Sequence, residues 1–318
     1  MKFLKALRKL DKQKPDFPAA QEETIHQADG KFAHLVPGLV NDPSIKIGRD
    51  SQTADLSADS HPSSGPSDFV QRAKLSKPNV KSFPAVYVDE GKVNPHFVAV
   101  TNPKSVFCEE YRNLRVALLH KSKKQKLKTI AVVSVVPSEG KSITALNLAW
   151  LIAQTDGMSA LAIDADLRLP SLTKYLGIES EYGLSDVLDG DVQLEDAIVR
   201  LEPSGLHLLP GGRVRSDVAE QLSGPTFAAL LEQVEGAFDF VILDAPPLSV
   251  FAEAKVLVNQ ADASILVVRS NYTKFKDLDR VLEGVSRQRI LGVVLNRSDE
   301  MLIGGNYYDY PYYQDQKK

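Results

Sequence analysis

Cys108 is the chain's only cysteine, so no disulfide can form within it, and a reducing compartment is the simplest setting. Long apolar runs are also missing: none approaches the roughly 18 to 20 residues needed to cross a bilayer. The N-terminus lacks a signal-peptide core, and a soluble cytoplasmic protein is expected. Neither sign of charge dominates. With 38 basic and 41 acidic residues the formal net charge is −3, which gives no global drive towards nucleic acid, and no such partner is expected. What is present is 318 residues, 43% of them hydrophobic and concentrated after about residue 95, enough for one main core.

The stretch Ser134 to Ile143, SVVPSEGKSI, follows an apolar run, Thr129 to Val133, and leads into a helical pattern. Strand, loop and helix in that order suit a phosphate-binding loop, because successive backbone N–H groups and a helix N-terminus together make an anion site. Lys141 would bring positive charge to the terminal phosphates, and Ser142 is placed to hold Mg²⁺ through its hydroxyl. Val135 stands where the pattern G-x-x-x-x-G-K-[ST] has its first glycine. The bland alternative is a chance Gly-Lys-Ser at a strand-to-helix turn.

Two acidic stretches weigh against chance. Ala160 to Pro170, ALAIDADLRLP, reads as a buried strand delivering Asp164 and Asp166, with Arg168 following. Asp239 to Pro247, DFVILDAPP, reads as a second buried strand ending in Asp244 and stopped by two prolines. Parallel α/β sheets gather ligand groups at the carboxyl ends of their strands. One such Asp alone would be a turn or cap residue; three sites in this order are harder to dismiss.

Together, S-x-x-P-x-E-G-K-S, IDADLR and ILDAPP resemble the Walker A, A′ and B motifs of the bacterial tyrosine kinases (BY-kinases), cytoplasmic autokinases of capsule and exopolysaccharide export. The resemblance spans roughly residues 95 to 300 and the tail. It implies a P-loop NTPase three-layer α/β sandwich with a mostly parallel sheet, similar to the MinD/ParA ATPases. The family usually has a small residue in place of Val135, often Gly in place of Ser138, and Thr in place of Ile143. The resemblance implies ATP and Mg²⁺, with Pro137, Ser138, Glu139, Gly140, Lys141, Ser142 and Ile143 around the phosphates. It gives Ser142 to the metal directly, Asp164 and Asp244 to the metal through water, and Asp166 to the phenol and its proton. Arg168 would position phosphates or partner groups, and Asn296, ending GVVLN, would contact the adenine or simply close a strand.

Four segments are expected: a basic amphipathic helix over 1–14, a disordered linker over 15–82, the catalytic domain over 83–300 and a tail over 301–318. In MKFLKALRKLDKQK, Phe3, Leu4, Leu7 and Leu10 recur at helical spacing among lysines and an arginine. It suits an anionic membrane face, a partner protein or a fraying terminus alike. Residues 15 to 80 hold eight Ser, seven Pro and seven Asp with no sustained apolar period, too little to offset the entropy of ordering. A strand is expected at Ala85 to Val88, and Ser105 to His120 reads as a helix capped by Ser105 with an apolar stripe of Phe107, Tyr111, Leu114 and Leu118. Glu109, Arg112 and Arg115 then share a second, outward face. By resemblance, this E-x-x-R-x-x-R is an intersubunit motif, implying a ring-like homo-oligomer. Leu194 to Val199 is expected to be helical, and six or seven strands in all are expected.

Five of ten tyrosines, Tyr307, Tyr308, Tyr310, Tyr312 and Tyr313, crowd into the tail among Asp and Pro, with no hydrophobic period that would take them into a core. By resemblance they are an autophosphorylation cluster, and a membrane polysaccharide copolymerase is the implied partner and activator. Two rivals share most of these residues: a MinD/ParA-like ATPase with no phenol acceptor, and a nucleotide-binding adaptor without kinase activity.

Overall fold

The computed structural model describes residues 83–298. The helix expected over 1–14, the linker over 15–82 and the tyrosine cluster lie outside the described residues.

An eight-stranded sheet organises this region, with β1 (Ala85–Tyr87), β2 (Thr129–Ser134), β3 (Ala160–Asp164), β4 (Val199–Glu202), β5 (Leu206–Leu209), β6 (Phe240–Asp244), β7 (Ala263–Arg269) and β8 (Ile290–Asn296). Their order across the sheet is β1-β4-β5-β3-β6-β2-β7-β8. Every neighbouring pair is parallel except β4 with β5. The mostly parallel α/β fold expected from the motifs is therefore present, with one strand more than the upper expectation.

Why the central strands are continuous apolar runs follows from their place between two helical layers. All residues of β2, β3 and β6 are buried. Side chains alternate between faces, so Ala131, Val133, Leu161, Ile163, Val241 and Leu243 enter one core. Ile130, Val132, Ala160, Ala162, Phe240 and Ile242 enter the other. The second core is covered by α1 (Val98–Thr101), α2 (Val106–Ser122) and α3 (Lys141–Ala153). Trp150 of α3 meets Phe97 edge-on at 5.2 Å, and deleting so large a buried ring would cost about 3 to 5 kcal/mol. Asn147 is buried beside them and accepts from Ala99 N at 2.9 Å, tying α1 to α3.

Between β3 and β4 lie α4 (Leu172–Leu176), α5 (Leu184–Asp189) and α6 (Leu194–Ala197). The first core is closed by α7 (Val218–Ser223), α8 (Pro225–Ala237), α9 (Ala252–Gln260) and α10 (Phe275–Glu283). Pro225 opens α8, where its missing N–H is no loss. Among the described residues, no helix is long and apolar enough to cross a membrane.

Three expectations need correction. The helix expected through Val199 stops at Ala197, and Val199–Glu202 forms β4, because the backbone of this short segment pairs with β1 and β5 on either side. Ser105 does cap α2, accepting from Cys108 N at 3.1 Å. Of the expected stripe, Leu118 is buried and Tyr111 and Leu114 pack against the second core, but Phe107 is 68% exposed and Cys108 takes its place inside. Nor do both guanidiniums of α2 face outward. Arg112 pairs with Glu109, but Arg115 turns onto α3, donating to Leu151 O at 2.9 Å and to Thr155 Oγ1 at 3.3 Å.

Candidate active site

The carboxyl ends of β2, β6 and β3, neighbours in the sheet, bring the three motifs together. Ser134 ends β2, and the loop that follows is fastened from its first residues. Ser134 O accepts from Leu248 N at 2.9 Å and Val135 O from Ser249 N at 3.0 Å. Val135 is fully buried in the first core, so at this position a core anchor takes the place of the glycine. Pro137 and Ser138 face solvent, and Ser138 holds a positive φ of 66°. Gly140 is required for two reasons: its φ is 95°, and a Cβ there would lie 2.2 Å from Asn296 Nδ2. No side chain caps α3 at Gly140, which leaves the first-turn N–H groups for an anion.

Lys141 opens α3, and its Nζ lies 3.0 Å from Asp166 Oδ2, 3.5 Å from Asp244 Oδ1 and 3.2 Å from Ser142 Oγ. Burial works against its charge, but Asp244 and Asp166 outweigh burial and hold its pKa above the ordinary lysine value. Asp164 and Asp244 are register partners on adjacent strands. Asp164 Oδ2 accepts from Ser171 N at 2.7 Å and Leu172 N at 2.9 Å, at the start of α4. Its Oδ1, and Oδ2 of Asp244, are buried without hydrogen-bond partners. Burial first, and then the Asp244 carboxylate, push Asp164 up to about 7. Asp244 is raised as well by burial, against the pull of Lys141.

Two unpartnered carboxylate oxygens beside a serine hydroxyl suit the water shell of a small hard cation. Among the described residues, no group of three or more His, Cys, Asp or Glu could hold a metal alone. A magnesium ion here would therefore depend on Ser142, water and the phosphates of a bound nucleotide.

The remaining candidates fall nearby in two groups. Arg168 leans away from the loop, with its Nε on Glu253 and its guanidinium 5.0 Å from the Phe251 ring centroid. Asn296 reaches under the loop, donating from Nδ2 to Glu139 O at 2.7 Å. Glu253, Phe251 and Thr273 were missed from the sequence. The only available signal was an acid nine residues beyond Asp244, with nothing local to mark its role.

Residues 127–290 match a family model described as an AAA domain. The chain is 34% identical over 207 residues to Tyrosine-protein kinase YwqD of Bacillus subtilis, a match covering 64% of this chain and 87% of that one. It is 33% identical over 212 residues to the Succinoglycan biosynthesis transport protein ExoP of Rhizobium meliloti, covering 65% of this chain but 27% of that longer protein. In three dimensions it is similar to the kinase domain of the Escherichia coli tyrosine kinase ETK, with TM-score 0.60 and 28% identity, covering 67% of this chain and 86% of that one. With the loop, the lysine and the strand-end carboxylates in the arrangement just described, the chain belongs to the AAA-domain P-loop family and, within it, to the bacterial tyrosine-protein kinases.

Proposed function

We propose that this protein transfers the γ-phosphoryl group of ATP to tyrosine hydroxyls, chiefly those of its own tail. One observation carries the reading: the Lys141 ammonium stands between Asp166 and Asp244 at the mouth of a phosphate-type loop, beside two carboxylates that each keep an unsatisfied buried oxygen. When bound, Mg·ATP supplies the transferable group and the metal's charge. The chain's own part is positioning and neutralisation, the main protein contributions to phosphoryl transfer.

In this reading, Lys141 leaves its carboxylate partners for the β and γ phosphates, and the backbone of Pro137, Ser138, Glu139, Gly140, Ser142 and Ile143 surrounds them. Ser142 would hold the metal through its hydroxyl, and Asp164 and Asp244 would hold it through water. Asp166, 5% exposed and nearest to Lys141, orients the incoming phenol and accepts its proton as the new O–P bond forms and the bond to ADP breaks. A free phenol has a pKa near 10, so the carboxylate helps only if proton transfer accompanies attack. Asn296 borders the adenine side.

Acceptors in this reading are Tyr307, Tyr308, Tyr310, Tyr312 and Tyr313, entering from an adjacent copy in a ring-like homo-oligomer whose contact includes Glu109 and Arg112. Each modified tyrosine adds about −1.5 to −2 charges, which drives the tail from an acidic site. The name of ExoP, with its kinship, supports a role in regulating polysaccharide polymerisation and export, beside a membrane copolymerase that activates the kinase. Recruitment to the inner membrane face would use residues 1–14.

The test is to incubate the purified full chain with Mg·ATP, with and without a cytosolic copolymerase segment, and to locate phosphate by mass spectrometry. Phosphate on the tail tyrosines, lost in Lys141→Ala, is expected. Free phosphate release without modified tyrosine would favour a MinD/ParA-like ATPase, and neither product would favour an adaptor.

A further inference from the structure

Glu139 is fully buried although Pro137 and Ser138 just before it face solvent. A buried carboxylate is tolerated only with donors around it. Its Oε2 accepts from Val136 N at 2.8 Å, inside the phosphate loop. Its Oε1 accepts from Arg269 N at 3.1 Å and from the Thr273 hydroxyl, at the turn after β7. The Glu139 carbonyl accepts from Asn296 at the end of β8. One residue thus joins three segments that are more than a hundred positions apart at the extremes.

A second observation concerns the backbone of those segments. Three non-glycine residues among those described have positive φ: Ser138 at 66°, Asn271 at 55° and Arg297 at 55°. Each lies in one of the three joined segments. Such conformations are unfavourable and persist only where the surroundings over-determine them. The turn and the end of β8 are also joined to each other, by Ser270 N to Asn296 O at 2.8 Å.

We propose that Glu139 is a positioning residue, clamping the phosphate loop to the Arg269–Thr273 turn and to Asn296 so that the loop keeps its anion-receiving shape before nucleotide arrives. This rests on the nucleotide reading of the site. The clamp needs acceptors at both ends of the side chain. Glutamine has a single acceptor oxygen, so either Val136 N or the Arg269–Thr273 pair then faces an amide N–H₂. Thr273→Val removes one donor from the far end at nearly constant volume, and Thr273→Ser keeps it.

The experiment uses the full-length chain and titrates Mg²⁺ with a fluorescent N-methylanthraniloyl ADP, alongside thermal melts. Glu139→Gln is expected to weaken binding about tenfold, and Thr273→Val about threefold to fivefold. Thr273→Ser should return to within about twofold of the parent. The double variant should bind within about twofold of Glu139→Gln, because both changes cut one clamp. Binding by Glu139→Gln within about twofold of the parent, or a lowered melting temperature with unchanged affinity, overturns the proposal. If Glu139→Gln does not fold, equal affinity of Thr273→Val and Thr273→Ser overturns it. A parent chain that binds no nucleotide overturns the reading of the site and this inference with it, whereas binding parent and variants alike overturns the inference alone.

Discussion

Asp164 and Asp244 face one another as register partners on β3 and β6, and each keeps one buried carboxylate oxygen without a hydrogen-bond partner. Without nucleotide, the pair resists double ionisation, and Asp164 is pushed up to about 7 by burial and by its neighbour. The folded chain thus holds a proton that the unfolded chain, with an ordinary carboxylate pKa near 4, releases. Between about pH 4 and 7 the folded state binds more protons, so stability falls as pH rises through that window and levels off above it. The melting temperature of the nucleotide-free protein should fall from pH 5 to 8, and Asp164→Asn should flatten that fall. The variant should melt several degrees above the parent at pH 8 and no higher than it at pH 4. Parallel pH profiles for the two proteins, measured by circular dichroism at matched ionic strength, would count against this account.

Asp166 touches Lys141 but is no register partner of Asp164 or Asp244. Asp166→Asn should therefore keep nucleotide affinity within about threefold while lowering tyrosine phosphorylation by about 10² to 10⁴. Equilibrium titration and initial rates on the same preparation separate the two effects. Equal losses in both would place Asp166 in nucleotide binding instead.

Arg168 and Glu253 form an asymmetric pair, the arginine side chain 31% exposed and the glutamate 2%. Removing the arginine strands a buried carboxylate, whereas removing the carboxylate leaves a guanidinium that can turn to water. Arg168→Ala should cost about 1 to 3 kcal/mol, below the usual range for a buried pair because solvent already screens one partner. Glu253→Gln should cost less. Urea denaturation of both variants checks the order, and the reverse order would refute it.

On α2, Arg112 and Arg115 should behave differently. Arg115→Ala loses bonds to Leu151 O and Thr155 Oγ1 and should lower stability by about 1 to 2 kcal/mol. Arg112→Ala should change stability by less than about 0.5 kcal/mol yet weaken self-association. Sedimentation velocity with thermal melts distinguishes them. A self-association defect confined to Arg115→Ala would reverse the assignment.

These particulars mark what could be read in advance. Strands β2, β3 and β6 were legible because they are buried on both faces and write that burial locally, as unbroken apolar runs. The cap at Ser105 was legible because its partner, Cys108 N, lies only three residues away. Helical period announced α2 and most of its inward stripe but not where the stripe begins, since Phe107 and Cys108 are adjacent and both apolar. The four residues VRLE of β4 become a strand only beside β1 and β5, partners that no local pattern specifies. Glu139 was expected around the phosphates, but no local pattern tells that its carboxylate is taken up by Arg269 N and by Thr273, 134 positions later.

The first and last strands of the described chain, β1 and β8, are the opposite margins of one sheet. Seven steps of about 4.8 Å separate them by roughly 34 Å, with the chemistry lying between. Tension applied ahead of residue 83 meets the buried Phe83 ring, packed on His207 and Phe238, before it reaches three residue pairs, Ala85 with Arg200, Val86 with Leu201 and Tyr87 with Glu202. A three-residue pairing at the border holds less than the five-residue pairing of β3 with β6 inside it, so that border would give way before the strands that carry Asp164 and Asp244.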